Sequence, residues 1–407
     1  MNCYRPELLA PAGNFNKLKL AFYYGADAVY VAGKNFSLRS HSENFSDDEL
    51  LEAVKYTHSL GKKIYVAVNI YAKNSDLEDI SSYIKFINQA NVDAMIISDP
   101  GVFYISKLIA PSLSLHLSTQ ANTLNRAAVR FWKSMGFDRI ILARELTLDD
   151  IADIHKNDPD IELEMFVHGS MCVSYSGRCL LSNFFTHRDG NKGDCAQVCR
   201  WNFKLSDPKN PDLSLNVDED EKGTYFMNSK DLNLISDLPF IIDAGVASLK
   251  IEGRMKTEFY LATVINTYNR ALTEFSQFGY IPNLYDYESE LLQINHRDYT
   301  KGFFGNEEDD SILHDCNGTE GFCDFVALVL GYEDGNAIVE MRNRFKTGDT
   351  LEILSPSESF GKSFEVGEII DSKGNILEDV KLVQQIVKFK SPEVSAGDML
   401  RRHTSHP

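Results

Sequence analysis

The sequence predicts an α/β protein: a (β/α)8, TIM-like barrel with a cysteine-rich insertion, followed by a small C-terminal all-β barrel. Three observations lead there. Short apolar, β-branched runs alternate with amphipathic segments eight times before residue 280, the order expected of βαβ units around a parallel sheet. Polar residues follow the apolar runs, as in Glu252-Gly253-Arg254 after the eighth, which suits the C-terminal rim of a barrel that carries a site. After Asp324 the chain changes to short alternating strands broken by turn residues. A doubly wound open sheet is the alternative arrangement of the parallel units.

Glu7 to Ala10 makes the first strand, Pro11-Ala12-Gly13-Asn14 turns the chain, and Phe15 to Tyr24 supplies a helix ending at Gly25. Asp27 to Ala32 is the second strand. Ser46 with Glu49 three residues on makes a capping box, and Gly61 closes that helix. Strands follow at Lys63 to Asn69, Asp93 to Asp99, Leu113 to Gln120 and Arg139 to Arg144, separated by helices Leu77 to Ala90, Gly101 to Ile109 and Asn125 to Met135. Thr147-Leu148-Asp149-Asp150 caps the helix before the seventh strand, Ile161 to Val167. A long interruption then holds the cysteines, an acidic surface loop from Asp207 to Lys222 and the apolar run Tyr225-Phe226-Met227. Leu232 to Ala244 reads as a helix and Ala247 to Ile251 as the last strand. The helix after it buries Leu261, Val264, Ile265, Tyr268, Leu272 and Phe275 at helical spacing. The expected functional rim is Gly33, Asn69, Asp99, Gln120, Arg144, Glu145, His168, Glu252 and Arg254.

Residues 1–280 are thus the barrel, and 281–322 a linker where acids accumulate at Asn306-Glu307-Glu308-Asp309-Asp310. Residues 323–407 are the β domain, with turns at Asp334-Gly335-Asn336 and Lys373-Gly374-Asn375. Closure into a small barrel would remove exposed strand edges.

The composition, 43% hydrophobic and 25% charged, is that of a soluble globular protein. No signal peptide or run of about 18 apolar residues is present, so a cytoplasmic location without a membrane anchor is expected. A formal net charge of -18 argues against a general phosphate-binding surface, which is built from Lys and Arg.

Four of the seven cysteines, Cys172, Cys179, Cys195 and Cys199, lie in one short run, whereas Cys3, Cys316 and Cys323 lie far away. Without a secretory signal a disulfide framework is not expected, and metal binding gains weight. Four thiolates suit an iron–sulfur cluster or structural zinc. Gaps of six and fifteen residues before the closer pair favour ligands from separate segments folding over a larger object, while four buried thiols are the structural alternative. The third cysteine of a radical S-adenosylmethionine motif is missing after Cys199, where Arg200-Trp201-Asn202 follows. His-Glu-x-x-His, Gly-x-Ser-x-Gly and phosphate-loop signatures are missing too. His168 and Cys172 could in principle form a Cys–His pair.

Glu164-Met-Phe-Val-His-Gly-Ser-Met-Cys172, with Cys179-Leu-Leu-Ser182 after it, resembles the signature of the collagenase-like peptidases of unassigned catalytic type. Leu9-Ala-Pro-Ala-Gly13, Met227-Asn-Ser-Lys-Asp-Leu232, Leu249-Lys-Ile-Glu-Gly-Arg-Met-Lys256 and His296-Arg-Asp-Tyr-Thr-Lys-Gly302 extend the match across the barrel. The resemblance is strongest to the branch that hydroxylates the wobble uridine of tRNA to 5-hydroxyuridine. It implies a four-cysteine [4Fe-4S] iron–sulfur cluster on Cys172, Cys179, Cys195 and Cys199, with prephenate as hydroxyl source. Arg144, Arg178, Arg200 and Arg254 could then bind the two prephenate carboxylates, and Glu145, His168 and Glu252 could handle protons. Asn69, Asp99 and Gln120 are further substrate-binding candidates at the rim. Arg342, Arg344, Lys346, Arg401 and Arg402 are the basic candidates of the β domain for tRNA. Peptide hydrolysis and noncatalytic RNA binding are the competing functions.

Overall fold

A computed structural model describes residues 4–38, 43–172, 174–201, 219–220, 223–224, 229–304 and 321–404. Cys3, Cys316, Tyr225-Phe226-Met227, the acidic run at 306–310 and most of the loop expected at 207–222 lie outside the described residues.

Eight parallel strands form the barrel: β1 (Glu7–Pro11), β2 (Ala28–Val31), β3 (Lys63–Val68), β4 (Ala94–Ile97), β5 (Leu115–Leu117), β6 (Arg139–Ile141), β7 (Glu162–Ser170) and β8 (Ser248–Ile251). Each pairs with its neighbours, and β8 pairs in parallel with both β7 and β1. The sheet is therefore closed. The connecting helices are α1 (Phe15–Tyr23), α2 (Asp47–Ser59), α3 (Leu77–Gln89), α4 (Pro100–Ile109), α5 (Arg126–Ser134) and α6 (Leu148–Asn157). Their starts are written in the sequence: Asn14, Ser46, Asp99, Asn125 and Thr147 each accept a backbone N–H of the first turn.

Between β7 and β8 the cysteine-rich insertion carries α7 (Leu181–Thr186), and α8 (Leu238–Asp243) returns the chain to the barrel. The helix expected from Leu232 starts only at Leu238. Asp231–Asn233 instead pairs antiparallel with the end of β7, and Pro239 sits in the first turn of α8, where its missing N–H costs nothing. α9 (Glu258–Phe278) is buried along most of its length, because the barrel lies on one side of it and the C-terminal domain on the other.

Part of the stretch expected as a linker is packed structure. α10 (Leu284–Leu291) buries Tyr287 and Leu291, and the Tyr287 hydroxyl donates to Glu274 Oε1 at 2.6 Å. Tyr299–Thr300 then joins the barrel sheet beside Asp231–Asn233. The acidic outer face of α10 hid this helix in the sequence.

The C-terminal region is an eight-stranded antiparallel sheet curled as a half-barrel around Val326, Val339, Phe345, Ile353, Phe389 and Leu400. Among the described residues its end strands, Ser363–Glu365 and Ile376–Leu377, do not pair with each other. The hairpin between Cys323–Glu333 and Asn336–Met341 turns on Asp334 and Gly335, both at positive φ, as an Asp-Gly turn requires. Phe259 of α9 stacks on Phe325 with ring centroids 5.7 Å apart, and the Tyr23 hydroxyl donates to Asp398 at 2.8 Å, so barrel and sheet are docked. No helix among the described residues is long and apolar enough to cross a membrane.

Candidate functional site at the barrel mouth

A cavity of about 150 Å³ opens at the C-terminal end of the barrel. Its floor comes from strand ends: Asn69 after β3, Gln120 after β5, Arg144 after β6, Phe166 on β7, Lys250 on β8, and Glu252 and Arg254 beyond it. Its roof is the insertion, which contributes Cys172, Ser176, Cys179, Cys195, Val198 and Cys199.

The floor is cross-linked. Asn69 Nδ2 donates to Gln120 Oε1 at 3.3 Å, and its Oδ1 accepts the Leu38 N–H at 3.3 Å. The Arg144 guanidinium lies 3.9 Å over the Phe166 ring and gives one N–H to the Ser170 carbonyl at 3.0 Å. Its Nε is buried without a hydrogen-bond partner. Arg254 is buried and reaches Ser37 and Asn44. The Tyr30 hydroxyl donates to the Ile251 carbonyl at 3.0 Å and lies 3.5 Å from Glu252 Oε2.

The roof holds four unpaired, partly buried thiols around one cavity. Backbone N–H groups of Leu181 and Gln197 reach the Sγ atoms of Cys179 and Cys195, each at 3.4 Å. Burial, and next to it the sulfur of Cys172, push the Cys199 thiol up to about 11. Ser182 pins the insertion, donating to the Arg188 carbonyl at 2.7 Å and accepting the Ala196 N–H at 2.9 Å. Among the described residues no three His, Cys, Asp or Glu side chains converge as on a single metal ion.

Nine of the residues expected to act therefore share the cavity: Asn69, Gln120, Arg144, Glu252, Arg254 and the four cysteines. Five do not line it. Asp99 is a helix cap, its Oδ1 accepting the N–H groups of Gly101 and Val102 at 2.7 and 3.0 Å. Glu145 binds the backbone N–H and hydroxyl of Ser176. Arg178 is a strut, its Nε donating to the Tyr71 hydroxyl at 2.7 Å and the Gln120 carbonyl at 2.8 Å. Arg200 bonds Gln197 Oε1 at 2.8 Å.

His168 is turned away by a bulge. Phe166 pairs with Lys250, but His168 pairs with Ile251, so β7 holds one residue more than β8 over that step. An extra residue exchanges the faces of every side chain beyond it. His168 consequently sits outside the barrel, 1% exposed, enclosed by the rings of Tyr260, Tyr268 and Tyr299 rather than beside Cys172. Its desolvation there pushes the imidazole down to about 3.

The basic candidates of the C-terminal domain are largely neutralised by acids. Arg342 meets Glu340 at 3.0 Å, Arg344 meets Asp379, and Arg402 meets Asp324 at 3.2 Å and Asp349 at 3.1 Å. Arg401 is buried between Glu290 and Glu352. The Lys346 side chain is exposed.

Lys250, Tyr30 and Phe166 were not singled out by the sequence. For Lys250 a signal existed: a lysine between Leu249 and Ile251 in an otherwise apolar strand. A charge there must be paired or used.

Residues 13–313 match peptidase family U32, and residues 322–401 match the U32 C-terminal domain. The tRNA hydroxylation protein P1 of Bacillus subtilis is 40% identical over 409 residues, spanning 98% of this chain and 95% of that protein. The tRNA hydroxylation protein P of Escherichia coli is 35% identical over 423 residues, spanning 92% and 91%. A 23S rRNA 5-hydroxycytidine synthase of Escherichia coli is 37% identical over 272 residues, 67% of this chain and 40% of that one. The chain belongs to peptidase family U32, carrying both the family's barrel and its C-terminal domain.

Proposed function

We propose that this protein is a tRNA-modifying enzyme that hydroxylates the wobble uridine to 5-hydroxyuridine, with prephenate as hydroxyl source and a [4Fe-4S] cluster on Cys172, Cys179, Cys195 and Cys199. The observation that carries the reading is that these four thiols line the same cavity as the polar rim residues of the barrel. Relatives named for tRNA and rRNA hydroxylation, similar over most of this chain, support the class of substrate.

The donor set fits a cluster. Four thiols without disulfides surround one space rather than one point, and backbone N–H groups reach two of the sulfurs, the kind of contact that tunes iron–sulfur centres. A bound cluster would supply electrons or a Lewis-acidic iron beside the substrate. Arg144 and Arg254 offer guanidinium forks for the two carboxylates of prephenate. The amides of Asn69 and Gln120 offer donors and acceptors to a pyrimidine edge, and Glu252 offers a carboxylate able to take a proton.

Mass spectrometry of tRNA nucleosides from a strain lacking the gene tests the reading. The expected result is loss of 5-hydroxyuridine, restored by the wild-type gene and not by Cys172→Ala. Unchanged 5-hydroxyuridine overturns the substrate assignment. Anaerobically purified protein should be brown and contain iron and sulfide, and a colourless zinc protein would overturn the cluster.

A further inference from the structure

The interior of a (β/α)8 barrel is ordinarily filled by branched apolar side chains. Here it holds a file of charges. Lys250 Nζ lies 2.7 Å from Glu164 Oε1, Glu164 Oε2 lies 3.1 Å from Arg139, and Arg139 reaches Glu7 at 2.6 Å. The Lys250 and Glu164 side chains are 5% and 0% exposed. Arg139 also pairs with Glu7 and, at 2.7 Å, with the exposed carboxylate of Glu162, so Glu164 is held between two cations and Arg139 keeps partners of its own.

Lys250 ends this file at the cavity wall. An ammonium carries three N–H donors. Among the described residues one acceptor, Glu164, is found for it. Its other surroundings are aromatic faces, with the Tyr30 ring centroid at 4.5 Å and that of Phe166 at 5.5 Å. Arg144 lies over Phe166 as well, with its buried Nε unused. Buried donors left unsatisfied on a cation are costly, and here both border the same cavity.

We infer that Lys250 is a catalytic residue of this cavity, donating its two unused N–H groups to a negatively charged or carbonyl oxygen of the bound substrate. Glu164 is a positioning residue that fixes the ammonium from behind. The inference takes the identity of the reaction from the hydroxylation reading, but the oxygen ligand follows from the donors alone. A preorganised donor in a water-poor site stabilises developing charge, and losing one lowers kcat by about 100-fold or more.

Three variants, Lys250→Met, Lys250→Arg and the double variant Lys250→Met with Glu164→Gln, are compared with wild type for 5-hydroxyuridine formation and melting temperature. The double variant removes both charges and should melt near wild type, while kcat stays down by about 100-fold. Recovery of wild-type kcat in the double variant would reduce Lys250 to a counter-ion of Glu164 and overturn the inference. The second measurement does not need the reaction. Acetate is titrated into the purified protein while the 15N-labelled lysine ammonium signals are followed by NMR. The signal missing from Lys250→Arg should shift in the wild-type spectrum, and one that stays fixed overturns the inference. A wild-type protein that forms no 5-hydroxyuridine defeats the hydroxylation reading, and the acetate titration still decides for or against Lys250.

Discussion

Glu145 accepts both the backbone N–H and the hydroxyl of Ser176, at 2.6 and 2.7 Å. Ser176 has a φ of +45° and lies in the turn Tyr175–Gly177 that carries the chain from Cys172 to Cys179. A side-chain-bearing residue in that region costs about 1–2 kcal/mol. The carboxylate offsets the cost, so a group that resembled a proton donor in the sequence shapes the cavity roof instead.

Glu145→Ala should therefore loosen the insertion without touching the cavity floor. Limited proteolysis is expected to cut the variant faster than wild type between residues 172 and 200, and the lost charged bonds should cost about 1–3 kcal/mol locally. Cutting at the wild-type rate would mean that the turn holds without Glu145.

Asp99 and Gln120 both follow barrel strands, yet only Gln120 lines the cavity. Asp99→Ala should cost about 1 kcal/mol of stability, the worth of a helix N-cap, and Asp99→Ser should recover most of it. In the 5-hydroxyuridine assay that tests the proposed function, Asp99→Ala should score as wild type at a temperature where both are folded. A fall in kcat with unchanged melting would place Asp99 at the substrate.

Burial pushes His168 down to about 3, below the unfolded value of about 6.5. The folded protein then binds fewer protons than the unfolded chain between those values, so its stability is complete above the unfolded value and declines as pH falls through the window. The decline is at most about 1.4 kcal/mol per pH unit for one group. His116 and His296 are lowered by burial as well and add to the same limb. His168→Phe should consequently flatten the loss of stability between about pH 6.5 and 5 without abolishing it. Denaturant titrations across that range check this, and parallel curves would mean that His168 takes up its proton in the folded protein at the same pH as in the unfolded chain.

The eight barrel strands were legible because each contains a short apolar run buried on both faces, and their order alone implied a parallel sheet. The four cysteines were legible as a group, but their gaps gave no direction. Their sharing of a cavity with Arg144 and Glu252 depends on how Ser182 and Glu145 fold the insertion back over the mouth. His168 was misplaced because a one-residue bulge at Val167 leaves no mark in composition. Asp99 could have been read correctly: an Asp before Pro100 at the first helical position is a cap signal. Asp99 and Glu145 therefore needed hydrogen bonds, not strand ends, to assign them.

Arg401 joins the two structural layers. It lies on the last strand, 3% exposed, with one nitrogen 2.5 Å from Glu290 of α10 and another 2.5 Å from Glu352 of the C-terminal sheet. A cation on which the buried Glu290 and the partly buried Glu352 depend cannot be removed alone without stranding charge. Arg401→Met should destabilise the protein by about 3–5 kcal/mol, whereas adding Glu290→Gln should return part of that, because the larger cost is the orphaned carboxylate rather than the lost attraction. Since Glu290 belongs to the barrel side of the contact, calorimetry of the single variant should resolve two transitions where wild type shows one. A single transition shifted by less than about 1 kcal/mol, the scale of an exposed pair, would mean that the stacking of Phe259 on Phe325 and the Tyr23–Asp398 bond dock the domains without Arg401.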